Sequence, residues 1–296
     1  MDQRKDALQW RAEAALWRGR KAVHQPRMDR LQGRAILEQD DVDRMERGLG
    51  RFFARMKDPA GEGMEKERTE AAEAKAALEQ ARAWLAEAER KLPAAEMAHG
   101  RYGAFWKEAD ASAFLYEEKE LLDWAMLLEL GGRLAQECES CVKEIKYGLK
   151  VFKIDCDPEE QAALQGKMEG LYAMAREFYE KSGTREEAPV FRYDLRSFEN
   201  PKRREPDFGY RPPIIRTVQG LGDLIDGADA YKDMIAMGDV LYEMLRDVER
   251  MQDAVADIFE EQAKEGERLL RRMQAGESHF CGKDIFGFSA SEKDLH

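Results

Sequence analysis

Apolar residues recur along most of this chain at alternating intervals of three and four, the spacing that gathers them on one face of an α-helix. In the first long segment, 27–57, Met28, Ala35, Val42, Leu49 and Met56 fall seven apart, with Leu31, Met45 and Phe52 in the alternate seam positions. The same register reaches back through Ala7, Trp10, Ala14 and Trp17. Pro26 interrupts it by removing a backbone donor, which predicts a kink or break just before it, near Lys21 to Gln25.

Asp58-Pro59-Ala60-Gly61-Glu62-Gly63 reads as a turn. A second helix is predicted over 64–98: Met64, Ala71, Leu78, Leu85 and Leu92 repeat at seven, partnered by Ala74, Ala81, Ala88 and Ala95. The alanines let a neighbouring helix approach closely. Pro93 predicts a kink or restart near its end, and His99 to Gly103 a corner. The third segment, 112–152, carries Phe114, Leu121, Leu128, Ala135, Val142 and Leu149 in one row and Trp124, Gly131, Cys138, Ile145 and Phe152 in the other. Leu127, Leu134 and Cys141 widen that face beyond a two-stranded seam, toward a bundle core.

A shorter helix follows, with Asp157 as cap, Pro158 in the first turn and an end at Ser182-Gly183. Residues 184–217 then lose the period: Pro189, Pro201, Pro206, Pro212 and Pro213 exclude one continuous helix. The last long helix is predicted over 219–273, with Leu224, Tyr231, Leu245, Phe259 and Met273 in one row and Met234, Leu241, Val248, Val255 and Leu269 in the other. Met237, Met244, Met251 and Ile258 flank those rows. Such a helix would span roughly 75 Å. The pattern therefore predicts an all-α fold: an elongated, antiparallel, coiled-coil-like helical bundle with one long irregular connection. Its expected parts are an N-terminal helical bundle, 1–183; a Pro-rich basic and aromatic connection, 184–217; a long C-terminal helix packing on the bundle, 218–273; and an irregular tail, 274–296.

Composition adds that 36% of the residues are charged, a high share that suits long helices with much surface. A formal net charge of -12 argues against a nucleic-acid binder. Residues 1–57 are nevertheless basic on balance, so this segment is expected to dock against acidic parts of its own fold, of another copy, or of an anion. The first twenty residues are too charged for a signal peptide, and no apolar run is long enough for a transmembrane helix. Those features predict a cytoplasmic protein, with signal-less export or a virion location open, and leave peripheral membrane contact open too.

Candidate chemistry is sparse. Cys138 and Cys141 form a CxxC on a helix, where two sulfurs share a face and can bind zinc or act as a redox pair. Cys156, His279 and Cys281 are the obvious further ligands. Because Cys138 also occupies a seam position between Gly131 and Ile145, the two cysteines read first as core residues, and neither a metal nor a cofactor is predicted. Asp239, Glu243 and Asp247 share a helix face and read as solvated. Trp10 and Trp17 lie among Arg11, Arg18, Arg20 and Lys21. Such a helix continues the core seam and reads first as core packing, then as a partner or oligomer contact, and last as a membrane-surface or nucleic-acid phosphate-binding arm. In the irregular connection, Lys202, Arg203 and Arg204 stand beside Phe208 and Tyr210. Aromatics and arginine are enriched at interface centres, so this segment is the expected partner-binding element, against the competing reading that Phe191, Phe198 and Phe208 merely pin a crossover loop to the bundle. The functional expectation is a non-enzymatic structural or interaction protein that binds proteins and self-associates. A helical toxin or membrane-remodelling protein is the first alternative, and a small helical enzyme or metal binder with a site near 184–217 is the second.

Overall fold

A computed structural model describes residues 3–46, 62–108, 116–151, 158–195 and 213–275, with only the helical backbone given for 213–235. The fold is an all-α helical bundle, and 92% of the described residues are α-helical, with no strand among them. The helices are α1, Gln3–His24; α2, Met28–Glu46; α3, Glu62–Arg101; α4, Gly103–Glu108; α5, Tyr116–Val151; α6, Pro158–Ser182; and α7, Pro213–Gln274. No helix among the described residues is long and apolar enough to cross a membrane.

The chain divides into two compact units. One comprises residues 1–133 and 255–296, the other 134–254, so the divisions fall within α5 and α7.

In the first unit, α1 and α2 both pack along α3. Arg18 meets Glu96, Trp17 lies under Lys91, His24 stacks on Trp84 and Arg68 pairs with Glu46. Residue numbers rise along one arm as they fall along the other, which makes the packing antiparallel. Pro26 stops α1 as its missing donor requires: Gln25–Arg27 form a single 3-10 turn, and α2 resumes at Met28. Pro93, by contrast, lies inside an unbroken α3. Ala74, Ala81, Ala88 and Ala95 are all buried, as the close-approach reading of the alanine row expects, together with Ala71 and Leu78. The corner falls at Tyr102, whose N–H donates to the His99 carbonyl at 3.0 Å. Helix α1 is covered around most of its circumference: Ala7, Leu8, Ala12, Ala14, Ala15, Leu16, Trp17, Ala22 and Val23 are buried.

In the second unit, α6 starts at Pro158 and ends where Gly183 takes φ 64°, the left-handed conformation that closes a helix at least cost when no Cβ is present. The portion of α7 in this unit buries Met237, Leu241, Met244, Val248 and Met251. Burying such side chains contributes roughly 1.5–3 kcal/mol each. Leu241 and Val248 are buried as their row expects, the methionines read as flanking from sequence join them in the core, and Leu245 is only half-buried. The helix also begins at Pro213, ahead of the expected 219. Between α6 and α7, residues 184–195 run as an irregular strap with Tyr193 and Leu195 buried.

Candidate functional site

The most concentrated polar chemistry lies inside the first unit, where α1, α3 and α7 meet. One turn of α1 separates Arg20 from His24, so both face the same way. Arg20 is 3% exposed, His24 1% and Glu260 4%. Arg20 donates from Nε and Nη2 to the Glu260 carboxylate at 3.2 and 3.0 Å, and from Nη1 to Glu267 at 2.6 Å. His24 donates from Nε2 to the same Glu260 at 2.9 Å. Glu260 and Glu267 are seven apart on α7, two helical turns, so one face of α7 presents both carboxylates to one guanidinium.

Indole rings close the cluster. The Arg20 guanidinium lies 5.1 Å from the Trp17 ring centroid and 6.0 Å from that of Trp84, and His24 stacks on Trp84 at 4.8 Å. On the outer side Lys91 covers Trp17 at 4.3 Å and bonds Glu87 at 2.7 Å. The Lys91 hydrogen bond, opposed by partial burial and aided by the charges of Lys91, Arg20 and Arg90, holds the Glu87 carboxyl below its usual range. Burial works against the Arg20 charge, but its bonds to Glu260 and Glu267 outweigh that cost and raise its pKa above the ordinary value. The Nδ1 atom of His24 is buried without a hydrogen-bond partner among the described residues.

The basic N-terminal segment has the same explanation on a wider scale. Arg4 pairs with Glu118, Arg11 with Glu129, Arg18 with Glu96 and Arg27 with Asp257. Its positive charge is thus met by carboxylates far away in sequence within the same unit.

A second polar group occupies the other unit, under the strap. Tyr193 donates its hydroxyl to Asp247, which also accepts from Arg192 at 3.4 Å, while the Leu195 N–H donates to the Gln165 side-chain oxygen at 2.9 Å. Phe191 sets its edge against Tyr172 at 5.4 Å and against Tyr193 at 5.8 Å. Asp247, read from sequence as part of a solvated face, therefore anchors the strap. Buried Tyr172 leaves its hydroxyl without a partner among the described residues. Burial, aided by the negative charge of Asp247, pushes the Tyr172 phenol well above its ordinary value; burial also pushes Tyr179 up to about 12. Tyr172→Phe should therefore raise stability by about 1 kcal/mol, since it removes a buried hydroxyl that has lost its water and gained no bond. The phenol pKa is raised in the fold, so its contribution is complete below about pH 10 and fades as pH climbs toward the folded value. Melting temperature followed from pH 9 to 12 checks both points: Tyr172→Phe should melt higher than the parent at pH 9 and lose less on the alkaline side.

Trp17 is buried, with its ring between Arg20 and Lys91, and Trp10 is half-buried. Cys138 and Cys141 are both fully buried and form no disulfide. Lys202, Arg203, Arg204, Phe208 and Tyr210 lie outside the described residues, as do Cys156, His279 and Cys281. Among the described residues the one group of three side chains spaced to hold a metal is Glu38, Glu67 and Glu70, which contains neither cysteine. Burial, with Glu144 and Glu137 adding to it and Lys167 opposing, pushes the Cys141 thiol up to about 11. At pH 8 roughly one molecule in a thousand then carries the thiolate, the reactive form. Peptide mapping after brief alkylation at pH 8 should show Cys141 labelled only in unfolded protein. Rapid labelling of the native chain would contradict the buried placement.

Sequence alone pointed to neither Glu260 nor Glu267, each one carboxylate among many on a charged helix. No protein-family model, curated protein or solved structure matches the chain.

Proposed function

We propose that this chain is a non-enzymatic helical scaffold, a cytoplasmic protein that self-associates and binds protein partners in an assembly. The observation that carries the reading is the use made of the interior charges. Arg20, His24, Glu260 and Glu267 bond one another across helices remote in sequence, so the strongest polar chemistry of the described interior fixes the register of α1 against α7. Buried ionic groups of this kind favour one packing over its alternatives, which is what a scaffold needs. The coiled-coil-like alanine row of α3 suits the same role by setting helices at a fixed, close distance.

Sedimentation equilibrium over roughly 1–100 µM, spanning ordinary association strengths, together with native mass spectrometry, tests this. The expected result is a concentration-dependent mass above the 34.0 kDa of one chain, with no small ligand retained. A 34.0 kDa species at every concentration, carrying a stoichiometric small molecule, would overturn it in favour of a ligand-dependent activity.

A further inference from the structure

Helix α2 has two faces. Met28, Leu31, Ala35, Val42 and Met45 form the seam toward α3, and Val42 is the one fully buried residue of the helix. At 100° per residue, the opposite face comprises Asp29, Gly33, Ile36, Leu37, Asp40 and Arg44. Ile36 and Leu37 are 53% and 63% exposed. The two are adjacent at the middle of the helix, with charged positions on both sides of them along this face.

The 3.6-residue period spaces these positions four, three, one, three and four apart, as it does any helix face of this length, about the point between Ile36 and Leu37. Reversing the helix about that point brings position 29 onto 44, 33 onto 40 and 36 onto 37. A two-fold axis relating two copies makes this match, because residue i of one then meets residue j of the other and j meets i. The charges fit the antiparallel arrangement. Asp29 faces an arginine, and Asp40 faces a glycine without a side chain to obstruct it. An added Cβ at Gly33 would meet nothing within 4 Å in the chain itself, so that position is open to an approaching helix. A parallel pairing would instead set Asp29 against Asp29, Asp40 against Asp40 and Arg44 against Arg44.

We propose that the outward face of α2 pairs with the same face of a second copy of this chain, antiparallel about a two-fold axis between Ile36 and Leu37, with Asp29 of each copy opposite Arg44 of the other. The proposal rests on the scaffold reading and gives it a contact surface. The Arg44 side chain bonds Asp41 at 3.2 Å, but both are at least half exposed, so that pair yields readily to a better one. A contact along one short helix belongs at the small end of specific interfaces, which places the expected dissociation constant on the order of 10 µM.

The test is sedimentation velocity on the full chain across that range, with thermal melting as the control for folding. The combined Ile36→Asp and Leu37→Asp variant should weaken association by on the order of a hundredfold, since four apolar side chains leave the centre of the dimer. Arg44→Asp alone should weaken it by roughly tenfold, and Asp29→Arg combined with Arg44→Asp should return it to within about threefold of the parent, because the charges are exchanged but still opposed. All four positions are exposed, so melting temperatures should stay near the parent's. A parent that associates equally well with both apolar positions changed overturns this surface while leaving the scaffold reading standing. Failure of the double exchange to restore association overturns the antiparallel register and with it the proposal. A parent that stays monomeric throughout overturns both readings; if its apolar variants then melt at lower temperature, a segment of its own chain covers the patch.

Discussion

Replacing Glu260 with alanine is expected to lower the stability of the protein by about 3–5 kcal/mol, among the largest effects of any single side-chain truncation in the chain. Glu260 is 4% exposed and accepts from both Arg20 and His24. Its removal leaves a guanidinium and an imidazole buried beside Trp17 and Trp84, with Glu267 as the one carboxylate still bonded to Arg20. The interior cannot hydrate what it has unpaired, so the penalty is the desolvation of those groups rather than the modest net strength of the lost bonds. Arg20→Ala should cost a similar amount for the mirror-image reason, a stranded carboxylate. The informative measurement is the double variant, Arg20→Met with Glu260→Leu, set against the single variants Arg20→Met and Glu260→Leu in chemical denaturation. Removing both charges and filling the space with apolar volume should cost much less than the sum of the singles, leaving a coupling of about 2–3 kcal/mol. Additive losses would mean that the two side chains do not depend on each other, and the assignment of this cluster as the lock between α1 and α7 would fall.

The heptads legible in the sequence and the cluster that was not differ in range. A seam such as Ala74, Ala81, Ala88 and Ala95 is encoded within one helix, each position recognisable from residues three, four and seven away, and it is buried as its spacing implies. Pro26 and Gly183 act through their own backbone, so the break and the helix end could be placed in advance. Pro93 carries the same local signal, yet α3 continues through it. In α7 the row of Leu241, Val248, Val255 and Leu269 is buried as its spacing implies, but its neighbour in the second unit is a methionine row and not Leu245. Met237, Met244 and Met251 form a row as regular as the one containing Leu245, and hydrophobicity alone does not say which faces inward. Ala7, Ala14 and Trp17 of α1 are buried as their seam implies, whereas Leu8, Ala12, Ala15, Leu16, Ala22 and Val23 lie off that seam and are covered by helices distant in sequence. Arg20 meets Glu260 across 240 positions, a pairing that nothing near either residue announces. The aromatic and basic candidates at 202–210 were legible as composition, but their structural place lies outside the described residues.

Glycine-to-alanine substitutions should have opposite signs at two helical positions, and the larger effect belongs to Gly266. Alanine is normally the better helix former by about 1 kcal/mol, so in open space the change stabilises. Gly170 in α6 is such a place: it is exposed, and a Cβ there would meet nothing within 4 Å. At Gly266 the Cβ would fall inside the indole of Trp124. That ring lies directly over the bare glycine Cα, and its Nε1 donates to the Gln262 carbonyl at 2.7 Å, one turn back along α7. Trp124 is 4% exposed, so it cannot swing aside into solvent without giving up both its burial and this bond. An overpacked methyl usually costs 1–3 kcal/mol, and displacing a buried indole adds to that, so Gly266→Ala is expected to cost about 3–5 kcal/mol while Gly170→Ala gains about 0.5–1 kcal/mol. Gly19, where a Cβ would strike the Phe259 ring, should behave like Gly266, and its Cα would in turn lie 3.2 Å from a Cβ added at Gly132, so α1 and α5 approach there through two glycines. Equilibrium unfolding of the two alanine variants decides the matter, with tryptophan fluorescence as a second readout, because only Gly266→Ala should move Trp124 toward water. Equal and small effects at both positions would mean that Trp124 does not occupy the surface of Gly266, and the packing of α5 on α7 in the first unit would have to be redrawn.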